Sequence, residues 1–151
     1  MRSYLFSALI LTLLFSACKK GDSGGSSSSF TVNGTAYHST TTNGSGYAGV
    51  YSYSCISGTG STAASINFVF IGTPTTGTYR LVDNYTVPSS TQCYFVLALP
   101  GGSYASTNTD NTTITATMTN GKLNLSFTGA KGVNESNPAD VVTIDGNLIA
   151  D

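Results

Sequence analysis

Charge is what this chain has least of. Only 9% of its 151 residues are Asp, Glu, Lys or Arg, where an average soluble domain carries about a quarter. There is no Trp, a single His (His38) and a single Glu (Glu135), so the side chains that do most acid/base, metal and phosphate chemistry are scarce. A formal net charge of −1 excludes a basic nucleic-acid binder, because phosphate contacts need clustered Lys or Arg. It also excludes charge-driven disorder, which combines low hydrophobicity with high net charge. Helix signals are missing as well: beyond residue 30 no stretch joins 3.6-residue apolar spacing to caps. What fills the chain instead is Ser, Thr, Gly and Asn, which supply 72 residues.

The first 17 residues carry one positive charge at Arg2, an apolar run from Tyr4 to Phe15, then small residues. That is the layout of a secretory signal peptide. The run is too short for a spanning helix, which needs about 20 apolar residues. Behind it, Leu14-Phe15-Ser16-Ala17-Cys18 resembles the lipobox of bacterial lipoproteins, with Phe15 where Leu is usual. The resemblance implies that Cys18 is acylated and becomes the mature N-terminus. Several acyl chains anchor a protein firmly where one holds it only marginally. Lys19-Lys20-Gly21-Asp22-Ser23-Gly24-Gly25 and Ser26 to Ser29 then form a flexible tether, with an r.m.s. reach of about 18 Å and a limit of about 37 Å. The expected organisation is a signal peptide over 1–17, a lipidated Cys and linker over 18–29, and one domain over 30–151.

Three cysteines are an odd number for an exported protein. Assigning Cys18 to lipid leaves an even pair in an oxidising compartment, which predicts a Cys55–Cys93 disulfide. In the chain-entropy model such a bridge contributes about 4 kcal/mol for a loop of roughly 38 residues. Two free thiols as a redox or metal pair is the alternative, but the spacing is not CxxC and no His is adjacent.

Residues 30–151 read as short period-2 runs punctuated by turn chemistry. Asn33-Gly34, Asn43-Gly44 and Asn120-Gly121 are hairpin signals, since both residues tolerate positive φ in a type I′ turn. Strands are predicted near 29–33, 35–41, 47–56, 62–71, 77–83, 92–99, 112–119, 122–129 and 140–149. In the clearest hairpin, Ile114, Ala116 and Met118 share one face and Leu123, Leu125 and Phe127 continue it across the turn. That face needs an opposing layer, which Ile66, Phe68 and Phe70, with Cys93, Phe95, Leu97 and Leu99, supply. The expected fold is all-β: a single antiparallel sandwich or small barrel of about eight to nine strands.

The order lipobox, Lys-Lys-Gly-Asp, serine linker, Phe30-Thr31-Val32-Asn33-Gly34-Thr35-Ala36-Tyr37, Gly77-Thr78-Tyr79 and Val142-Thr143-Ile144-Asp145-Gly146-Asn147-Leu148 resembles the small β-sandwich lipoproteins common in Bacteroidetes. The likeness implies a lipid-anchored protein of the cell envelope, placed at the outer membrane on its periplasmic face or the cell surface. It implies no activity. Tyr53-Ser54-Cys55 is also similar to the Tyr-x-Cys phrase of lysozyme-inhibitor lipoproteins, which combine an anchor, a β-barrel and a disulfide; no residue is carried over from that phrase.

A hydroxyl nucleophile needs a base and an orienting partner, and His38, the sole imidazole, reads as a structural or solvent-facing residue of a strand. The domain acids (Asp83, Asp110, Glu135, Asp140, Asp145 and Asp151) are scattered at turns and ends, unlike a glycosidase pair or the oxygen-rich loops that hold calcium. No catalytic residue, metal or cofactor is expected beyond the lipid on Cys18. Thr113, Thr115, Thr117 and Thr119 read as a solvated β-face. Tyrosine is the enriched aromatic. Tyr47, Tyr51 and Tyr53 share parity on one expected strand, and Tyr85 and Tyr104 fall in expected loops. Exposed, they would stack on sugar rings or a protein partner; turned inward with Cys55, they would be core. Gly58–Ser61, Asn84–Ser90 and Gly101–Thr109 are the expected contact loops. The expected function is a non-enzymatic envelope module for a protein or glycan partner, with no nucleic acid. The alternative is a small inhibitor of a wall hydrolase such as lysozyme, and a hydrolase ranks last.

Overall fold

Alternation of hydroxyl and apolar side chains can be satisfied only if each strand keeps one face on a shared core, and the chain does this through nearly its whole domain. The computed structural model describes residues 28–108 and 111–149. The signal peptide, Cys18, the tether to residue 27, Asp110 and Asp151 lie outside the described residues. Among the described residues there are eleven strands: β1 (Ser29–Val32), β2 (Thr35–His38), β3 (Thr41–Tyr47), β4 (Val50–Ser57), β5 (Ala64–Ile71), β6 (Gly77–Leu81), β7 (Gln92–Leu99), β8 (Gly102–Ser106), β9 (Thr113–Thr119), β10 (Lys122–Asn134) and β11 (Asn137–Ile149). The only helical turn among them is a 3₁₀ turn at Gly60–Thr62.

The strands form one sheet in the order β2-β1-β11-β10-β9-β6-β7-β5-β4-β3, and β8 bridges β7 and β10. That bridge closes β6 to β10 into a five-stranded barrel, from which β5-β4-β3 and β11-β1-β2 extend as wings. The all-β reading therefore holds, with two corrections. The expected eight or nine strands are eleven, because β3 (Thr-Thr-Asn-Gly-Ser-Gly-Tyr) and β8 (Gly-Ser-Tyr-Ala-Ser) show almost no apolar alternation and are recruited by their neighbours' backbone. The sheet is also not wholly antiparallel, since β6 runs parallel to β7, pairing Arg80 with Gln92 and Leu81 with Cys93.

Turn chemistry decides most of the hairpins. Asn33-Gly34 and Asn120-Gly121 both take positive φ, at 48° and 81° and at 52° and 77°, as type I′ turns require. Asn43-Gly44 does not turn; it lies inside β3, and the reversal falls at Ala48-Gly49 (φ 50° and 82°). Strand β10 outruns its predicted end because a bulge between Phe127 and Ala130 absorbs Gly129 at φ 68°. The Gly129 N–H donates to Asp145 Oδ1 at 2.8 Å, so the extra residue leaves no orphan amide.

The core is continuous from the wings into the barrel. Phe68 packs between Phe95 and Phe127, with ring centroids 5.7 and 5.1 Å apart, which joins the predicted hairpin to its predicted opposing layer. Phe70 meets Tyr79 edge-on at 5.0 Å. Tilted pairs of this kind contribute about 0.5–1.5 kcal/mol each beyond area burial.

The predicted disulfide is absent: Cys55 and Cys93 are both free and buried. Cys55 pairs with Ile66 and Cys93 with Phe70 on either side of β5, so a whole strand separates them. Their partners lie four residues apart along β5, which at about 3.3 Å per residue is about 13 Å. A disulfide tolerates Cα separations of only about 4.4–6.8 Å.

Candidate binding surface

Because the strand period is 2, the inward set Tyr51, Tyr53 and Cys55 leaves Val50, Ser52, Ser54 and Ile56 on the outer face of β4. Register then extends that outer face sideways. Tyr47 pairs with Val50, Val50 with Ile71, Ser52 with Val69, and Val69 with Tyr94. The outcome is an apolar and aromatic patch on the outside of β3, β4, β5 and β7, where an ordinary solvated face would be polar.

The connection from β6 to β7 overhangs this patch. Asp83 Oδ1 accepts the Tyr85 N–H at 3.2 Å and the Thr86 hydroxyl at 2.8 Å, and the Thr86 N–H donates to the Asp83 carbonyl at 3.2 Å. Such an Asx turn fixes the loop from its own first residue. At the far end the Gln92 side chain accepts the Ser89 N–H at 3.0 Å while the Gln92 N–H returns to the Ser89 carbonyl at 3.0 Å. Between these clamps Pro88 is buried, and Tyr85 and Val87 are turned out to 85% and 82% exposure. Asn84 ties the loop to the opposite wall by donating to Glu135 Oε1 at 2.9 Å.

A groove of about 190 Å³ lies beneath the loop, lined among others by Val50, Val69, Ile71, Tyr85, Val87 and Tyr94. It shares Val50 with a shallow cleft of about 310 Å³ beside Tyr47 and the Ala48-Gly49 turn. On its other flank it shares Asn84 and Tyr85 with a cleft of about 210 Å³ that contains Asp83 and Glu135. The three depressions thus form one row with Tyr85 standing between two of them. Five of the eight large hydrophobic residues exposed on the described surface, namely Tyr47, Val50, Ile71, Tyr85 and Val87, belong to this row.

The five predicted tyrosines separate here. Tyr47 and Tyr85 are exposed, at 87% and 85%. Tyr51 is half-buried, its ring lying over Gly44 and Gly46. Tyr53 is completely buried and donates to the Leu123 carbonyl at 3.0 Å. Tyr104 is buried and donates to Asp140 Oδ2 at 2.9 Å; that bond to a carboxylate, with burial second, raises its pKa. Tyr47 is not on the strand of Tyr51 and Tyr53: the Ala48-Gly49 reversal places it on the neighbouring strand and the opposite face. Of the expected contact loops, Asn84–Ser90 forms the overhang, Gly58–Ser61 runs into the 3₁₀ turn away from the row, and Gly101–Thr109 is largely β8. Val50, Val69, Ile71, Val87 and Tyr94 were not foreseen. For Val69 and Ile71 the signal was the unbroken apolar run Phe68-Val69-Phe70-Ile71, since a strand apolar at both parities has something to cover on each face.

None of the remaining candidates lines these depressions. Burial raises the Cys55 thiol and pushes the Cys93 thiol up to about 12, which makes them packing residues rather than nucleophiles. His38 is exposed on β2. Among the described residues no three His, Cys, Asp or Glu side chains gather as a metal cluster. Thr113, Thr115, Thr117 and Thr119 all face solvent. Comparison with family models, with curated proteins and with solved structures finds no match.

Proposed function

We propose that this chain is a lipid-anchored module of the cell envelope that holds a protein or glycan partner without catalysing a reaction. The observation that carries the reading is where the exposed tyrosine row stands relative to the tether. The chain enters the domain at Ser28, whose carbonyl accepts the Ser39 N–H at 2.9 Å, beside the start of β3 at Thr41. From there β3 runs in unbroken register to Tyr47, about 20 Å away at 3.3 Å per residue. A tether at one end of this hairpin and the row at the other suit presentation of the row away from a membrane. The scarcity of bases suits binding better than turnover. The wall-hydrolase inhibitor is the second reading: the closed five-stranded barrel is compatible with it, although Cys55 is unbridged and both Tyr53 and Cys55 are buried.

Metabolic labelling with a fatty-acid analogue, followed by membrane fractionation, tests the anchor. Label should sit on the wild type and vanish with Cys18→Ala, which should also release the protein; label that persists in the variant refutes the anchor. Cross-linking in native envelopes tests the module. A partner captured by wild type should be lost with Tyr85→Ala, whereas loss of lysozyme activity on adding the protein would favour the inhibitor.

A further inference from the structure

We propose that the groove between the Asn84–Pro88 overhang and the outer face of β4, β5 and β7 is a binding site for a neutral oligosaccharide, with Tyr85 as its principal stacking platform. This rests on reading the chain as a binding module and names the ligand class for it.

Charge narrows the ligand first. Apart from tyrosine phenols, the residues lining the central groove include no ionisable side chain, and the three basic residues of the described domain, Arg80, Lys122 and Lys131, line none of the depressions in the row. The only formal charges in the row are the carboxylates of Asp83 and Glu135 in the flanking cleft. An anionic polysaccharide, a nucleic acid or a phospholipid headgroup would meet repulsion there and no counter-charge. Shape and polarity narrow it further. Tyr85 and Tyr47 each present an apolar ring with a polar tip, at 85% and 87% exposure, while Asn84 and Tyr94 line the same groove as an apolar floor of Val50, Val69 and Ile71. A pyranose ring has the complementary construction, an apolar C–H face edged by hydroxyls. A purely apolar acyl chain would match that floor but would desolvate the exposed tyrosine phenols at its edge, which costs free energy. The row of three depressions suits a chain of sugar units rather than one. The loop clamps at Asp83 and Gln92 hold the backbone that carries Tyr85 before binding, which reduces the ordering cost of the loop.

The test uses the full mature chain, titrated with short linear oligomers of glucose, mannose, xylose and N-acetylglucosamine, with a polyuronate as the charged control. Because the chain has no Trp, tyrosine emission reports the contact directly, and calorimetry confirms it. The expected result is saturable binding of at least one neutral oligomer that is insensitive to salt. Tyr85→Ala should weaken it at least about tenfold, Tyr47→Ala should weaken it less, and Tyr85→Phe should retain it. Met118→Ala, an exposed apolar change elsewhere, should leave binding unchanged, and melting curves should confirm that every variant is folded. No saturable binding across the neutral panel, binding of the polyuronate alone, or binding indifferent to Tyr85→Ala overturns the glycan assignment. If Tyr85→Ala still abolishes capture of an envelope protein, the binding-module reading survives that failure; if neither glycan nor protein capture depends on Tyr85, both fall.

Discussion

At the scale of single residues, several glycines are placed by the aromatic ring beside them. A Cβ at Gly44 would fall on the phenolic oxygen of Tyr51, and one at Gly146 would fall on the ring of Phe127. In each pair the glycine makes room for a cross-strand ring, so replacing it overpacks the site. Gly146→Ala is therefore expected to cost about 1–3 kcal/mol, measured by denaturant melts, with part of the loss recovered when Phe127 is shortened to Leu in the same chain. The two thiols give a pH signature. Cys93 is held neutral up to about 12 against an ordinary 9.0, and Cys55 shifts in the same direction. Raised folded-state values mean that the unfolded chain loses these protons first. Stability from this source is therefore full below pH 9, the ordinary thiol value, and falls as pH climbs from there to about 12. Melting temperature across that range should drop in wild type and drop less in Cys93→Ala. Ellman's reagent should find neither cysteine of the described domain reactive in the native protein and both reactive once it is unfolded.

At the scale of elements, sequence and structure agree wherever the alternation is strong and part where it is weak. The Thr113–Thr128 hairpin was legible because its apolar set and its Asn-Gly turn point to one register. Strand β3 was not, because Asn and Gly are depleted in strands and its middle has no apolar alternation; it becomes a strand through seven register pairs with β4, from Thr41 with Ile56 to Tyr47 with Val50. Choosing Ala48-Gly49 over Asn43-Gly44 as the turn lets Tyr51 lie over Gly44 and Gly46, a packing no local propensity encodes. The chosen turn keeps a residual strain, since Ala48 sits at φ 50°, where Asn is better accommodated. Ala48→Asn is expected to raise stability by up to about 1 kcal/mol, read as a higher melting temperature. No change, or a loss, would mean that the turn conformation is not the one described.

Over the whole molecule, closure depends on β8, the short strand that joins β7 to β10. Ser106 at its end is buried, and its hydroxyl accepts the Phe95 N–H at 3.0 Å while donating to the Val82 carbonyl at 2.6 Å. One side chain thereby completes the hydrogen bonds of two buried backbone groups where the regular ladder stops. Ser106→Ala should leave both unpaired and cost about 1–3 kcal/mol for each, while Ser103→Ala on the same strand should cost much less; equal losses in a melting comparison would refute the closure role. The sequence by itself determined the all-β class, two of the hairpin turns and most of the core, because those depend on neighbours within a few residues. Only the tertiary structure decided that Cys55 and Cys93 stay apart, that Tyr53 and Tyr104 are core while Tyr47 and Tyr85 face solvent, and that a barrel closes through β8. The physical reason is the same for all three: they follow from which strand lies beside which. That order is fixed by the packing of the whole core and by the bulges and loops that steer the chain, none of which is written in any single stretch of residues.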